Sequence, residues 1–419
     1  MNSKLTLHRR NFLKAAGLLC LYSSGLLPIL NFKQAMAQSG DFPHFFVLIQ
    51  MEDGWDVTLS LDPKDHSDGS SQEDIFIEYQ KDQILKNGQL SLGPAASALT
   101  PHSQDILVIN GIEMRRDAGH ETNRDIMSSG YGDGKTAVFP VELAATYDAG
   151  PMGILIERSI SLGERTAIVT DLSSLTTSDS SGQNPFSDLL NVDDGSSFAQ
   201  AQADLIEADK LMPQFLKAVA TAQQAGITDN KHLKLAAAFM SGSAQQAALT
   251  FNSLNLDTHS NHEGVHMSGQ SSGWASVAEL FSGFKKLEYA DGLSLFDLTT
   301  FYVVSEFSRT PFLNGGRGKD HNPHANSVLL AGRGIQGGKN IGKSFVIKRK
   351  ESNTGIAQHV SRPIDFKTGQ VVNKAPDSFD HVKLIFPEDL AATIGALFKS
   401  PKGFYEEKKK GLVIPGVLS

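Results

Sequence analysis

Carboxylates and imidazoles fall in short stretches behind apolar runs. "FFVLIQM" runs into Glu52, Asp53 and Asp56, and "DILVINGI" runs into Arg115, Arg116, His120 and Arg124. "LTFNSLNL" runs into Asp257, His259, His262 and His266. "FDLTTFYVVS" runs into Glu306, and the loop beyond it, "SEFSRTPFLNGGRGKDHNPHA", adds Arg309, Asp320, His321 and His324. Of the 13 histidines, five lie within 259–266 and 321–324. Imidazole with carboxylate and no thiolate suits zinc, manganese or iron. Each member also has a plainer reading. Glu306 could be a strand-end carboxylate paired with Arg309, His262 a solvated side chain in a loop of turn formers, and His324, beside Pro323, a packing residue. The repetition of carboxylate plus imidazole behind several apolar runs is what favours a shared ion.

The elements that must position these groups follow from pattern. The runs 45–51, 105–112, 166–172, 249–256, 296–305 and 326–332 are short and β-branched or aromatic, which predicts buried strands. Apolar residues recur at helical spacing over 198–223, 231–249, 273–288 and 388–399. Strands alternating with helices predict an α/β fold, a mostly parallel central sheet with helices on both faces. In such sheets ligands bind beyond the carboxyl ends of the strands, where the polar stretches begin. Ser/Asp/Gly-rich stretches at 64–74 and 173–197 predict solvated loops. "VDDGSS" within the second lacks the alternation of a calcium-binding EF-hand loop. The polar stretch 350–380 predicts a long surface loop or small hairpin.

Residues 1–37 read as a separate module: "HRRNFLK" with its Arg9-Arg10 pair, an apolar stretch from Ala15 to Phe32, and the small-residue site Ala35-Met36-Ala37. That order predicts an export signal of the twin-arginine type, cleaved near Ala37, with the twin-arginine machinery as partner and a periplasmic or secreted destination. An uncleaved anchor would need a longer unbroken apolar run than one interrupted by Ser23, Ser24, Gly25 and Pro28. A lipid-attachment site would need a small residue where Leu19 precedes Cys20. Cleavage would remove Cys20, the single cysteine, and with it any disulfide or thiolate ligand. It would leave no stable membrane span. It would also remove Lys4, Arg9, Arg10, Lys14 and Lys33 and no acid, moving the net charge from −8 to −13. So acidic a chain argues against nucleic acid as partner.

The signal "RRNFLK", "DTHSN" at 257–261, and above all "SEFSRTPFLNGGRGKDHNPHA" at 305–325 with the "LLAGRGIQGG" that follows resemble the exported proteins of domain of unknown function 1501, a family related to the alkaline phosphatase and sulfatase superfamily. The resemblance extends over nearly the whole of 38–419 and implies one alkaline phosphatase-like domain with two metal sites at the carboxyl ends of its strands. By the same resemblance Asp53 or Asp56 is the first-strand aspartate, Asp257 and His259 are a ligand pair, Glu306 is a strand-end carboxylate, and Asp320 and His321 are the late ligand pair, with His324 close behind. Sulfatase-like members start a helix with a nucleophilic Cys or Ser and carry an Arg inside it. Here "HETNRDIMSSG", 120–130, has the span and Arg124, but His120 stands at the nucleophile position and Thr122 is the nearest hydroxyl. "MEDGWD" has one glycine where the family commonly has two, and Ser308 and Asn322 are further departures.

Two functions stay open. One is an exported metal-dependent hydrolase of phosphate or sulfate esters, in which metal activates water, Arg124 and Arg309 stabilise charge on an anionic ester, and His120 is an acid-base group. The other is a non-catalytic exported binding or assembly protein that kept the fold.

Overall fold

The computed structural model describes residues 42–65, 75–114, 119–147, 150, 152–165, 167–175, 177, 198–290, 292–348, 350, 355, 357–373, 381–399 and 411–419. The export signal, Arg115, Arg116, residues 66–74 and "VDDGSS" lie outside the described residues. One compact unit, His44–Tyr289 with Leu293–Ser419, carries the whole central sheet. A second, Met1–Pro43 with Ala290–Gly292, falls almost wholly outside the described residues.

The sheet strands and helices, in chain order, are β1 (Phe45–Met51), β2 (Ile106–Ile112), α1 (His120–Ser129), α2 (Phe139–Thr146), β3 (Ile154–Ile156), β4 (Val169–Asp171), α3 (Phe198–Gln224), α4 (Asn230–Ser241), β5 (Gln246–Phe251), α5 (Val265–Lys286), β6 (Thr299–Val304), β7 (Asn326–Gly332), β8 (Lys339–Ile341) and α6 (Pro387–Leu397). The eight strands form one sheet in the order β8-β2-β7-β6-β1-β5-β3-β4. All pairings are parallel except those of β7 with β6 and β2.

Side chains alternate across a strand, so a run buried at every position needs cover on both faces. Phe46, Leu48, Tyr302 and Val328 meet Ile126 and Met127 of α1, Phe139 and Leu143 of α2, and Leu390 and Ile394 of α6 on one face. Facing the other way, Phe45 stacks on Phe239 of α4, and Phe301 packs against Phe281 and Phe284 of α5. Each such fully buried side chain contributes about 1.5–3 kcal/mol.

α5 begins at Val265, before the predicted 273, and α2, β3 and β8 lie outside the predicted runs. Two further differences bear on the rim. The apolar spacing continues past Ser241, but Gly242 takes a left-handed φ of 75° and caps α4. The chain then enters β5 at Gln246, earlier than the predicted 249–256, and pairs it with β1 through Phe46↔Gln246. The second difference is direction: β7 runs antiparallel. The segment 305–325 contains no crossover helix, which a parallel return would need. This reversal matters for the site. β6 ends and β7 begins on the same edge, so the whole loop 305–325 stays on the rim where β1 and β5 also end. The stretch 350–380 contributes to two short ribbons, Ser344–Ile347 with Gln358–Ser361 and Ile364–Asp365 with Val382–Lys383. Among the described residues no helix is long and apolar enough to cross a membrane.

Candidate metal centre

Past β1 the chain takes two successive left-handed residues, Asp53 (φ 77°) and Gly54 (φ 76°). A non-glycine residue there is strained, and such strain collects at functional sites. The turn aims the Asp53 amide at Glu306 Oε1, 2.8 Å away. Gly54 cannot carry a side chain, because a Cβ would fall 2.0 Å from the Phe307 ring. Phe307 in turn stacks on His321 at 3.9 Å.

Glu306, 2% exposed, receives His120 Nδ1 at 2.8 Å. His120 opens α1 beyond Gly119. With Nδ1 held by a carboxylate, His120 keeps Nε2 for another partner, the arrangement that orients imidazoles toward metals. His259 repeats it: Nδ1 meets Asp320 Oδ1 at 3.0 Å, leaving Nε2 at 3.3 Å from Asp257 Oδ1 and 3.0 Å from His321 Nε2. Asp257 Oδ1 also lies 3.9 Å from His120 Nε2 and 4.0 Å from His321 Nε2. Atoms sharing one zinc tetrahedrally stand about 3.3 Å apart, so these separations fit a common ion. Two overlapping groups have donor atoms within 4.8 Å of one another: His120, Asp257 and His321, and Asp53, His120 and Glu306.

The electrostatics differ from group to group. Burial, then the neighbouring Glu306, Glu52 and Asp257, raise the Asp53 pKa. The hydrogen bond that His120 donates to Glu306 raises the His120 pKa, which favours its protonated form. Burial and then Arg309 push His321 down to about 4, so its lone pair is free at neutral pH. Burial alone would raise Glu306, but the His120 hydrogen bond and nearby Arg124 outweigh it and hold the carboxyl below its ordinary value. Asp257 and His259 retain 47% and 48% of their side-chain exposure, so the pocket is open on one side.

Several sequence-based roles change. Asp56 is not at the pocket: it is fully buried, Oδ1 accepts from Thr58 N and Oγ1, and Oδ2 accepts from Lys319 Nζ at 2.5 Å with His262 Nε2 3.3 Å away. Its lone pairs are spent, and Asp53 is the first-strand aspartate that faces the cluster. Arg309 does not reach out to a substrate. Fully buried, it binds the carbonyls of Gly54 and Lys319 (both 3.0 Å) and of Asp53, and Asp257 Oδ1 at 2.8 Å, so it fixes the rim. Asp320, like His259, belongs to neither donor group; its Oδ1 braces the His259 Nδ1 side at 3.0 Å and accepts from Asn314 Nδ2 at 2.9 Å. His324 stands apart beside Glu113 Oε1 at 3.3 Å.

Arg124 lies one turn beyond His120 and, with Arg158, holds Glu52 at 3.2 and 2.5 Å. Thr122 sits about 200° round α1 from His120, with its methyl toward Gly132. His262, expected in solvent, is fully buried. Sequence reading missed the parts played by Lys319, Thr258 and Arg158. Their signal was adjacency to Asp320 and Asp257 for the first two; Arg158, remote in sequence, had none.

No curated protein matches the chain. Among solved structures it is similar to the lipoteichoic acid synthase LtaP from Listeria monocytogenes (8% identity, TM-score 0.33, 71% of this chain and 67% of that one). It is also similar to Ps i-CgsB in complex with k-i-k-neocarrahexaose (10%, 0.37, 89% and 76%). A third is a protein in the alkaline phosphatase superfamily from Vibrio parahaemolyticus (10%, 0.30, 71% and 62%). Residues 182–360, which carry Asp257, His259, Glu306, Arg309, Asp320 and His321, match the model of the family described as "Protein of unknown function (DUF1501)", the family that the sequence resembles.

Proposed function

We propose that the pocket is a divalent-metal centre, with zinc, manganese or iron as its ion, and that the protein is an exported hydrolase of phosphate or sulfate esters. The observation that carries the metal is the pair of imidazoles, His120 and His259, each with Nδ1 on a carboxylate and Nε2 toward Asp257. His120, Asp257, His259 and His321 would hold it, with Asp53 and Glu306 alongside. When bound, the ion would supply Lewis acidity, polarising an ester oxygen and making water more acidic. The chain's own groups do the rest: Glu306 and Asp320 fix two rings, and Arg309 fixes Asp257. With Nδ1 on Glu306 and Nε2 toward the ion, His120 serves as a ligand and has no nitrogen left for acid-base work. No hydroxyl stands where His120 does, so the reading involves no covalent enzyme intermediate.

One observation favours a second reading, a non-catalytic metal-binding or assembly protein. Arg124, Arg158 and Arg309 are all bound to protein carboxylates or carbonyls, and none is left pointing at a substrate. Metal analysis of the exported protein, followed by assays of metal-loaded and metal-stripped protein on phosphate monoesters, diesters and sulfate esters, decides between them. The hydrolase should turn over at least one class only when loaded, and His120→Ala should lower metal content and that rate together while Thr122→Ala leaves both nearly unchanged. Bound metal with no turnover above the stripped control would establish the second reading.

A further inference from the structure

Behind the pocket lies a buried polar cluster that the proposed chemistry does not use: Asp56, Thr258, His262, His266 and Lys319, each no more than 4% exposed. Its proton positions follow from one fixed donor. The backbone N–H of Asp56 meets His266 Nε2 at 2.9 Å. A backbone amide can only donate, so Nε2 accepts and the His266 proton sits on Nδ1. That Nδ1–H is 2.8 Å from Thr258 Oγ1, which therefore accepts it. The Thr258 hydroxyl then donates to His262 Nδ1, 2.7 Å away, rather than to the carbonyl of Leu256 at 3.5 Å. An accepting Nδ1 puts the His262 proton on Nε2, which faces Asp56 Oδ2 at 3.3 Å. The chain starts at the Asp56 amide and returns to the Asp56 side chain: three hydrogen bonds form a ring that is closed by the His262 Nε2–Asp56 Oδ2 electrostatic contact, which lacks hydrogen-bond geometry. Both imidazoles are neutral and stacked 4.4 Å apart.

The ring's single negative charge is balanced inside the protein by Lys319 Nζ, 2.5 Å from Asp56 Oδ2. Every member is attached to a segment that bears a proposed donor. Thr258 lies between Asp257 and His259, Lys319 immediately precedes Asp320 and His321, and Asp56 follows Asp53 by one turn of chain. The Lys319 amide also donates to the carbonyl of Thr258 at 2.9 Å, so the two ligand loops are tied by backbone as well.

We propose that this ring is a positioning device, which sets Asp257, His259 and His321 in place for the ion by locking the three loops to one another. The inference rests on the metal-centre reading. Thr258, His262, His266 and Lys319 are positioning residues, acting through neighbours. Partners of this kind typically change metal affinity 10–100-fold when removed.

The test has two arms, both on the full chain. In metal-stripped, 15N-histidine-labelled protein near neutral pH, long-range 1H–15N correlation should show His266 in the Nδ1–H form, the minor tautomer of free imidazole, and His262 in the Nε2–H form. His266 carrying its proton on Nε2, or either ring doubly protonated, would overturn the ring. In the second arm, zinc affinity is measured by chelator competition. Thr258→Val, which keeps the shape and removes the hydroxyl, should weaken zinc about 10–100-fold, and Thr258→Ser should restore it. A Thr258→Val protein with a lowered melting temperature but the parent's zinc affinity would reduce the ring to a structural element and overturn the positioning role. A parent that binds no zinc, manganese or iron would overturn this inference together with the metal-centre reading, whereas the other failures leave that reading intact.

Discussion

His120 and Glu306 form the contact on which the pocket's chemistry turns. A carboxylate at 2.8 Å from Nδ1 does for His120 what no hydroxyl at that position would need, because it selects which ring nitrogen is left for an ion. Glu306→Gln keeps the size but loses the charge, and it should lower metal affinity about 10–100-fold, read by competition with a chromophoric chelator. An unchanged affinity would show that His120 is held by other means. His321→Ala should release bound metal during dialysis, because its ring lies among the donors with its pKa down at about 4. His324→Ala should keep its metal, because its ring stands against Glu113 instead. Elemental analysis of the two purified variants distinguishes them, and equal contents would undo the assignment.

At the scale of elements, six of the eight sheet strands and four of the six helices could be read from periodicity, because a strand buried on both faces leaves an unbroken apolar run and an amphipathic helix leaves a spaced one; β3 and β8, three residues each, and α2 are too short to leave either. The end of α4 could not: the spacing runs on through Gly242, and only a left-handed φ there stops the helix. The reversal of β7 was equally hidden, since a parallel and an antiparallel strand carry the same apolar pattern. Asp257, His259, Glu306 and His321 were legible as side-chain types behind strands. The division of labour between Asp53 and Asp56 was not, because both follow β1 within five residues and only backbone torsions decide which one faces the rim. The departures at Ser308 and Asn322 compensate one another: the two residues pair across a short ribbon, and Asn322 Nδ2 donates to Ser308 Oγ at 3.0 Å. The turn after β1 is the most constrained of these elements. Gly54→Ala must hold φ near 76° and displace Phe307, so it should destabilise the fold by more than about 1 kcal/mol. It should also disturb His321, which stacks on that ring. Urea midpoints of parent and variant measure the first effect and zinc affinity the second. A variant equal to its parent in both would mean the turn is far more pliable than its contacts imply.

For the whole molecule, export and acid stability are separate tests. Paired guanidinium groups are what the twin-arginine receptor reads. Arg9→Lys with Arg10→Lys should therefore leave precursor in the cytoplasm, and normal processed protein outside it would point to the general secretory route. Acid stability depends on the interior. His359 is fully buried on the ribbon 358–361, and neither of its ring nitrogens has a hydrogen-bond partner among the described residues. Burial first, and then the charge of Lys64, push its pKa from 6.5 to about 3. The unfolded chain therefore binds a proton at this residue below pH 6.5 that the folded chain refuses until about pH 3. Unfolding takes up that proton, so stability is level above about pH 7 and falls as pH drops through 6.5 toward 3. The slope from one such ring approaches ~1.4 kcal/mol per pH unit. Melting temperatures of metal-stripped protein between pH 7.5 and 5 should follow this course. His359→Leu replaces the ring with an apolar side chain that cannot take the proton, and its melting temperature should fall less steeply below pH 6.5. Parallel curves for parent and variant would show that His359 takes up its proton in the folded state at ordinary pH, with water or a rearranged Asp62 as its partner.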